Sequence, residues 1–183
     1  MVVDIGIIIE SAEAGKSEQN HIVRILDLKK YENNIYLDLR GRKIMFYKMK
    51  GKGELLKEEN YNGIVQKSKK FLFILDADEN FNKTQSDIQS LIGSLVQKFN
   101  IKADYFISCN PHTKKGNIET LLLECVKENL KTCYRNFLKC MGKDSLDKCL
   151  AKNLLQKMFE IKQPPYELDC EYFNKLRNKF SNL

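Results

Sequence analysis

Lys69-Lys70-Phe71-Leu72-Phe73-Ile74-Leu75-Asp76-Ala77-Asp78-Glu79-Asn80 decides the fold: two lysines lead into five apolar residues that end in Asp76, Asp78 and Glu79. An unbroken apolar run bounded by polar residues suits a strand buried on both faces of a parallel sheet. The carboxyl end of such a strand is where open α/β sheets place their ligands. In an Asp-x-Asp pair at the end of a strand, period-2 alternation sends Asp76 and Asp78 to the same side. Two carboxylates ~4 Å apart repel by about 4 kcal/mol at an effective dielectric near 20. Such a pair calls for a shared proton or a cation between them, and Mg²⁺ takes oxygen ligands of this kind. The plainer alternative is a solvated turn in which Asp76 or Asp78 caps the next helix.

Outward from this stretch, the chain supplies the rest of an α/β pattern. Val2 to Ile9 is apolar apart from Asp4 and Gly6 and reads as a central parallel strand ending in a second strand-end carboxylate, Glu10. It has no basic leader and no small-residue cleavage site, so it reads as a strand rather than a secretory signal, and the expected compartment is the cytoplasm. Ser17 is placed to cap a helix through His21, Ile22, Ile25, Leu26 and Leu28. Ile35 to Leu39 and Lys43 to Met49 read as strands about the Gly41 turn, and a helix is expected from Glu54 to about Ser68. Thr84-Gln85-Ser86-Asp87 resembles a capping box before the stripe Ile88, Leu91, Ile92, Leu95, Val96 and Phe99. Asp104 to Ile107 is a short strand. Strand, helix, strand, helix, strand implies right-handed crossovers and a mainly parallel sheet of about four to five strands flanked by helices.

From Asn117, an expected N-cap, the chain reads as helical: Ile118, Leu121, Leu122, Cys125, Val126 and Leu130, then Ser145 to Phe159, then Leu168, Tyr172, Phe173, Leu176 and Phe180 after Pro164-Pro165. Residues 1–125 are thus expected to form the α/β domain and 126–183 a helical C-terminal extension packed on it as one compact unit, able to meet a protein partner or a second copy. At 183 residues such a chain buries roughly 70% of its unfolded surface without staples. Its 43% apolar and 30% charged residues argue against disorder and against a membrane span.

Six cysteines form no Cys-x-x-Cys pair, which argues against zinc. Cys125, Cys133 and Cys140 recur at seven to eight residues, as small apolar fillers on one side of a helix in a reducing compartment would. The net charge of +7 permits phosphate-rich partners without specifying one.

Two chemistries compete for the first strand end. Glu10-Ser11-Ala12-Glu13-Ala14-Gly15-Lys16-Ser17 stands between strand and helix and ends in Gly-Lys-Ser, as a nucleotide-binding P-loop does, with Lys16 and Ser17 as its phosphate and Mg²⁺ contacts. Glu10, however, replaces that pattern's first glycine. The set Ile7-Ile8-Ile9-Glu10, Lys16-Ser17-Glu18-Gln19, Gly51-Lys52-Gly53, Asp76-Ala77-Asp78 and Gly116-Asn117-Ile118-Glu119, in this order, resembles the Toprim superfamily of topoisomerases, primases and OLD-type nucleases, and the small bacterial Toprim-like proteins. The resemblance covers roughly residues 2–125, with Ser11 where the family has glycine.

That resemblance implies a Toprim-like fold in which Asp76 and Asp78 hold Mg²⁺ or Mn²⁺. Glu10 serves as metal ligand or as catalytic general acid/base, and Glu119 as a further ligand. It implies Lys16, Lys52, Lys114 and Lys115 as phosphate contacts, and metal-dependent phosphodiester chemistry, nuclease or phosphotransferase, on nucleic acid in processing or defence. A Toprim-shaped module that binds without turnover is the non-enzymatic alternative. Glu13, Glu18 and Glu79 read as surface or helix-start charges.

Overall fold

Two strands with unbroken apolar runs, Ile7–Ile9 and Phe71–Leu75, need cover on both faces, and their central place in the sheet follows from that requirement. The computed structural model describes residues 2–10, 16–140 and 167–183. In chain order the elements are β1 (Ile5–Glu10), α1 (Lys16–Ile25), β2 (Lys29–Glu32), β3 (Ile35–Leu37), β4 (Lys43–Met49), α2 (Lys52–Leu55), a 3₁₀ turn (Glu58–Tyr61), β5 (Lys70–Asp76), α3 (Phe81–Phe99), β6 (Lys102–Ser108), α4 (Ile118–Glu124), α5 (Glu128–Cys140) and α6 (Glu171–Ser181). The protein is α/β, with one six-stranded sheet in the order β2-β3-β4-β1-β5-β6. β4, β1, β5 and β6 run parallel, while β2, β3 and β4 are antiparallel neighbours.

Side-chain alternation sorts the core into two layers. Ile5, Ile7 and Ile9 of β1 and Leu72 and Ile74 of β5 face one layer, with α1 (Ile22, Ile25), α4 (Ile118, Leu121, Leu122) and α6 (Phe173, Leu176, Phe180). Ile8 of β1 and Phe71, Phe73 and Leu75 of β5 face the other, with Leu55, Tyr61 and the α3 residues Ile88, Leu91 and Leu95. On the second side Gly6 lies against Phe71: a Cβ on Gly6 would sit 2.6 Å from the Phe71 ring and 3.0 Å from that of Tyr47. The connections step across the sheet in opposite directions from β1 and from β5, with α1 covering one face and α3 the other. The crevice at their carboxyl ends is therefore the topological switch point of the sheet.

Several expectations are corrected. The sheet has six strands rather than four or five, because Lys29-Lys30-Tyr31-Glu32 pairs with β3 as an edge strand exposed at every position, where no apolar alternation marks it. The helix expected over 54–68 is instead α2, the 3₁₀ turn and further turns. Asn60 donates to the Glu54 carbonyl and Tyr61 to that of Leu55, and these side chains take the acceptors a longer helix would use. α3 starts at Phe81, four residues earlier than a cap at Thr84 would place it, because the Asn80 side chain accepts from the Lys83 amide at 3.0 Å. Val96, assigned to the buried stripe, is 40% exposed.

The helix expected from Ile118 through Leu130 is interrupted between α4 and α5, so the seven-residue cysteine spacing does not describe one face. Cys125 is disulfide-bonded to Cys170, with Cα atoms 5.6 Å apart, and Cys133 and Cys140 are exposed rather than fillers. Asn117 caps α4 as expected, in a reciprocal box with Thr120. The Ser11–Gly15 loop, the Ser145–Phe159 stripe and Pro164-Pro165 lie outside the described residues. No described helix is long and apolar enough to cross a membrane.

Candidate functional site

Three chain segments deliver carboxylates to the switch-point crevice. Glu10 ends β1 and Asp76 ends β5, while Glu119 stands in the first turn of α4, in front of Asp76. Parity separates the first two. Glu10 continues the Ile8 side and meets α2, where its Oε1 accepts from the Lys52 amide at 2.9 Å. Asp76 continues the Leu72 and Ile74 side and meets α4, where its Oδ1 accepts from the Ile118 amide at 3.1 Å. Asp78 follows neither rule, because the strand stops at Asp76. Asp78 takes a left-handed backbone (φ 52) and exchanges two backbone hydrogen bonds with Gly116. The alternation that would have put Asp76 and Asp78 on one side is lost in that turn.

Gly116 makes this junction possible. Its φ of 97 suits a residue without a side chain, and a Cβ there would lie 2.4 Å from Thr120 Oγ1, the group that closes the α4 cap. The bridge thereby fixes Asp78 to the start of the helix that carries Glu119.

One lysine, through its amide and its ammonium, ties Glu10 to Asp78 across the rim. Lys52 donates its amide to Glu10 while its Nζ reaches Asp78 Oδ2 at 2.7 Å and Thr84 Oγ1 at 3.1 Å. Even so, negative charge dominates. Asp76 is held well above the ordinary carboxylate range, first by burial and then by Glu119, Glu10 and Asp78. Burial also raises Glu10, with Lys52 opposing it and Asp78 adding to it. Glu10 Oε2 is buried with no hydrogen-bond partner, an acceptor that a cation or a proton would satisfy.

Of the phosphate-binding candidates, Lys52 is therefore in the rim. Lys114 and Lys115 stand on the 109–116 loop that leads to Gly116. Asn110 shapes this loop by accepting from His112 and Thr113 and donating to Glu124. Lys115 pairs with Glu79 at 3.2 Å, and both are exposed. Lys16 and Ser17 open α1 beyond β1, and only their backbone is described. Glu18 is at a helix start as expected, yet buried.

Sequence reasoning passed over two neighbours. Thr84 was read as a helix cap, yet it is buried against Lys52. Ser108 pairs in register with Asp76, is fully buried, and its Oγ has no hydrogen-bond partner. Listing the residues at every strand end would have found Ser108; nothing local marks Thr84.

No protein-family model, curated protein or solved structure matches this chain. What the site can do follows from its own groups. Its donors are all oxygens, the type that hard divalent cations take, and one of them is an orphan. Among the described residues no three of His, Cys, Asp and Glu stand together as a ready-made metal cluster. Glu10 and Asp76 leave their strands with opposite parity, toward the two sides of one crevice.

Proposed function

We propose that the rim formed by Glu10, Asp76, Asp78 and Glu119 is a Toprim-like site that uses Mg²⁺ or Mn²⁺ to cut a nucleic-acid phosphodiester. The observation that carries this reading is the meeting of Glu10, Asp76, Asp78 and Glu119 at the switch point, where burial first, and then the charges of Glu119, Glu10 and Asp78, hold Asp76 well above its ordinary range. Such crowding is unfavourable without a cation, and it recurs where function requires it. Asp76, Asp78 and Glu10 would hold the ion, with Glu119 beside Asp76. The chemistry such an ion would supply there is Lewis-acid polarisation of a phosphoryl oxygen and activation of a water as nucleophile.

The chain's own groups do the rest. Lys52, already at the rim, is positioned to exchange Asp78 for a phosphate oxygen. Glu10 would serve either as a ligand of the ion or as a general acid/base toward a leaving or attacking oxygen. The net charge of +7 attracts a polyanion in a salt-dependent way.

The test is cleavage of labelled DNA and RNA, single- and double-stranded, with Mn²⁺, with Mg²⁺ and with EDTA. Cutting should require the ion and should fall on the order of 100-fold or more in Asp76→Asn and in Asp78→Asn, with circular dichroism and thermal unfolding showing both variants folded. Undiminished cutting in both variants would rule this site out. Nucleic-acid binding by the wild type without turnover would leave a binding module.

A further inference from the structure

Beside the rim, along the outer strand β6, lies a second concavity of about 270 Å³ that the phosphodiester reading does not use. Its walls come from the start of α3, from β6, from the 109–116 loop and from α6. Each of three lysines in it stands over a ring. Lys114 Nζ is 5.7 Å from the centre of Phe81, Lys175 Nζ 5.9 Å from Tyr172, and Lys179 Nζ 4.9 Å from Tyr105. Tyr105 is held in place by the amides of Gln85 and Gln89, which reach its hydroxyl at 3.1 and 2.9 Å. Lys179 also pairs with Asp104 at 2.7 Å.

We propose that this groove takes one unpaired nucleotide of a single-stranded nucleic acid, its base against Phe81, Tyr105 and Tyr172 and its phosphates on Lys114, Lys175 and Lys179. Flat apolar rings offer every base a stacking face, and ammonium groups at their edges track the backbone on either side. Lys114 and Lys175 exchange cation–π contact for charge pairing when a base displaces them toward phosphates, whereas Lys179 exchanges its Asp104 partner for a phosphate. A duplex, whose bases are already stacked, cannot use the rings. An acidic peptide would use the lysines alone, leaving three aromatic surfaces without a role.

The groove also lies in register with the rim. Phe81 follows Asp78 by three residues, Lys114 precedes Gly116 by two, and α4 carries Glu119 on the rim and Leu121 in the groove wall. A strand anchored by one base here runs its neighbouring phosphodiester toward the carboxylates. The proposal thus rests on the rim being a phosphodiester site, and it names the substrate of that site as single-stranded.

The experiment is fluorescence anisotropy of a short labelled oligothymidylate in EDTA, where nothing is cut, against the same sequence as a duplex and against oligoglutamate as competitor. The single strand should bind at least about tenfold tighter than the duplex, and Tyr172→Leu should weaken it by about tenfold. Lys114→Gln with Lys175→Gln should reduce the slope of log affinity against log salt by about 1.4, two phosphates' worth. Equal or tighter duplex binding overturns the proposal, as does displacement by oligoglutamate at matched charge. Unchanged binding in folded Tyr172→Leu and in the lysine pair overturns it too. Asp76→Asn separates the two ideas. If it still cuts while the groove variants lose binding, the rim reading alone fails. If it loses cutting while the groove variants bind as wild type, the groove alone fails.

Discussion

The two faces of the sheet are built in different ways, and each supplies one side of the crevice. The face carrying Glu10 is covered by segments close together in the chain: α2, the 3₁₀ turn and α3 all fall between Lys52 and Phe99. The face carrying Asp76 is assembled from α1, α4 and α6, gathered from both ends of the chain and joined by the Cys125–Cys170 bridge. Local cover can be read and formed early; distant cover must be held. The consequence for the site is that Asp76 sits on the side closed by segments from both ends of the chain, whereas Glu10 meets Lys52, 42 residues away, through the pairing of β1 with β4 and the short turn that follows β4.

Removing the bridge should break the comparison most severely. The disulfide closes a sequence separation of 45, for which chain entropy gives about 4 kcal/mol. Cys125→Ser with Cys170→Ser should lose stability of that order in urea unfolding, and added dithiothreitol should bring the wild type down to the double variant while leaving the variant unchanged. A wild type indifferent to reductant would show that this face closes without its bridge.

A smaller effect follows from acid, again on the distant face. His21, buried on α1, has its pKa lowered to about 4, first by burial and then by Arg24. The unfolded chain binds this proton near pH 6.5 and the folded protein only near 4, so between those values the unfolded state holds more protons and stability falls as the pH drops. The loss accumulates to on the order of 3 kcal/mol by pH 4. The raised carboxylates of the rim act in the opposite sense, so the effect is read as a difference: His21→Gln should flatten the acid limb of the pH–stability curve relative to the wild type. NMR should find the His21 ring still neutral at pH 5.5, and a ring titrating near 6.5 would refute the assignment.

The smallest effect belongs to the local face. Gly6→Ala forces a methyl against Phe71 and Tyr47 and should cost about 2 kcal/mol in thermal unfolding. Adding Phe71→Leu should cost less than the two changes separately, because the smaller side chain vacates the contested space. Strict additivity would mean the clash is relieved elsewhere.

Where sequence reasoning succeeded and failed follows the same division. Phe71 to Leu75 and Ile5 to Ile9 announced buried central strands because burial on both faces leaves a one-dimensional mark. Asn117 announced its cap because capping is local chemistry. β2 left no mark, since an edge strand that is exposed throughout has no apolar side to alternate. The break between α4 and α5 and the Cys125–Cys170 bond were also hidden. Helical spacing cannot see a pairing partner 45 residues away. At the site, the candidates Glu10, Asp76 and Asp78 could be named from strand ends, and Glu119 only through the resemblance, but the Asp-x-Asp spacing misled, because it presumed that the strand continued.

By itself, then, the sequence determined which residues are buried in the middle of the sheet and which carboxylates terminate its strands, since both are properties of hydrophobic period and local composition. Only the tertiary structure decided that Glu10 and Asp76 open to opposite sides of one crevice, that the Gly116 bridge turns Asp78 into it, and that Lys52 links its two halves. Those relations depend on strand order, parity and crossover, which contacts between remote segments fix and no window along the chain contains.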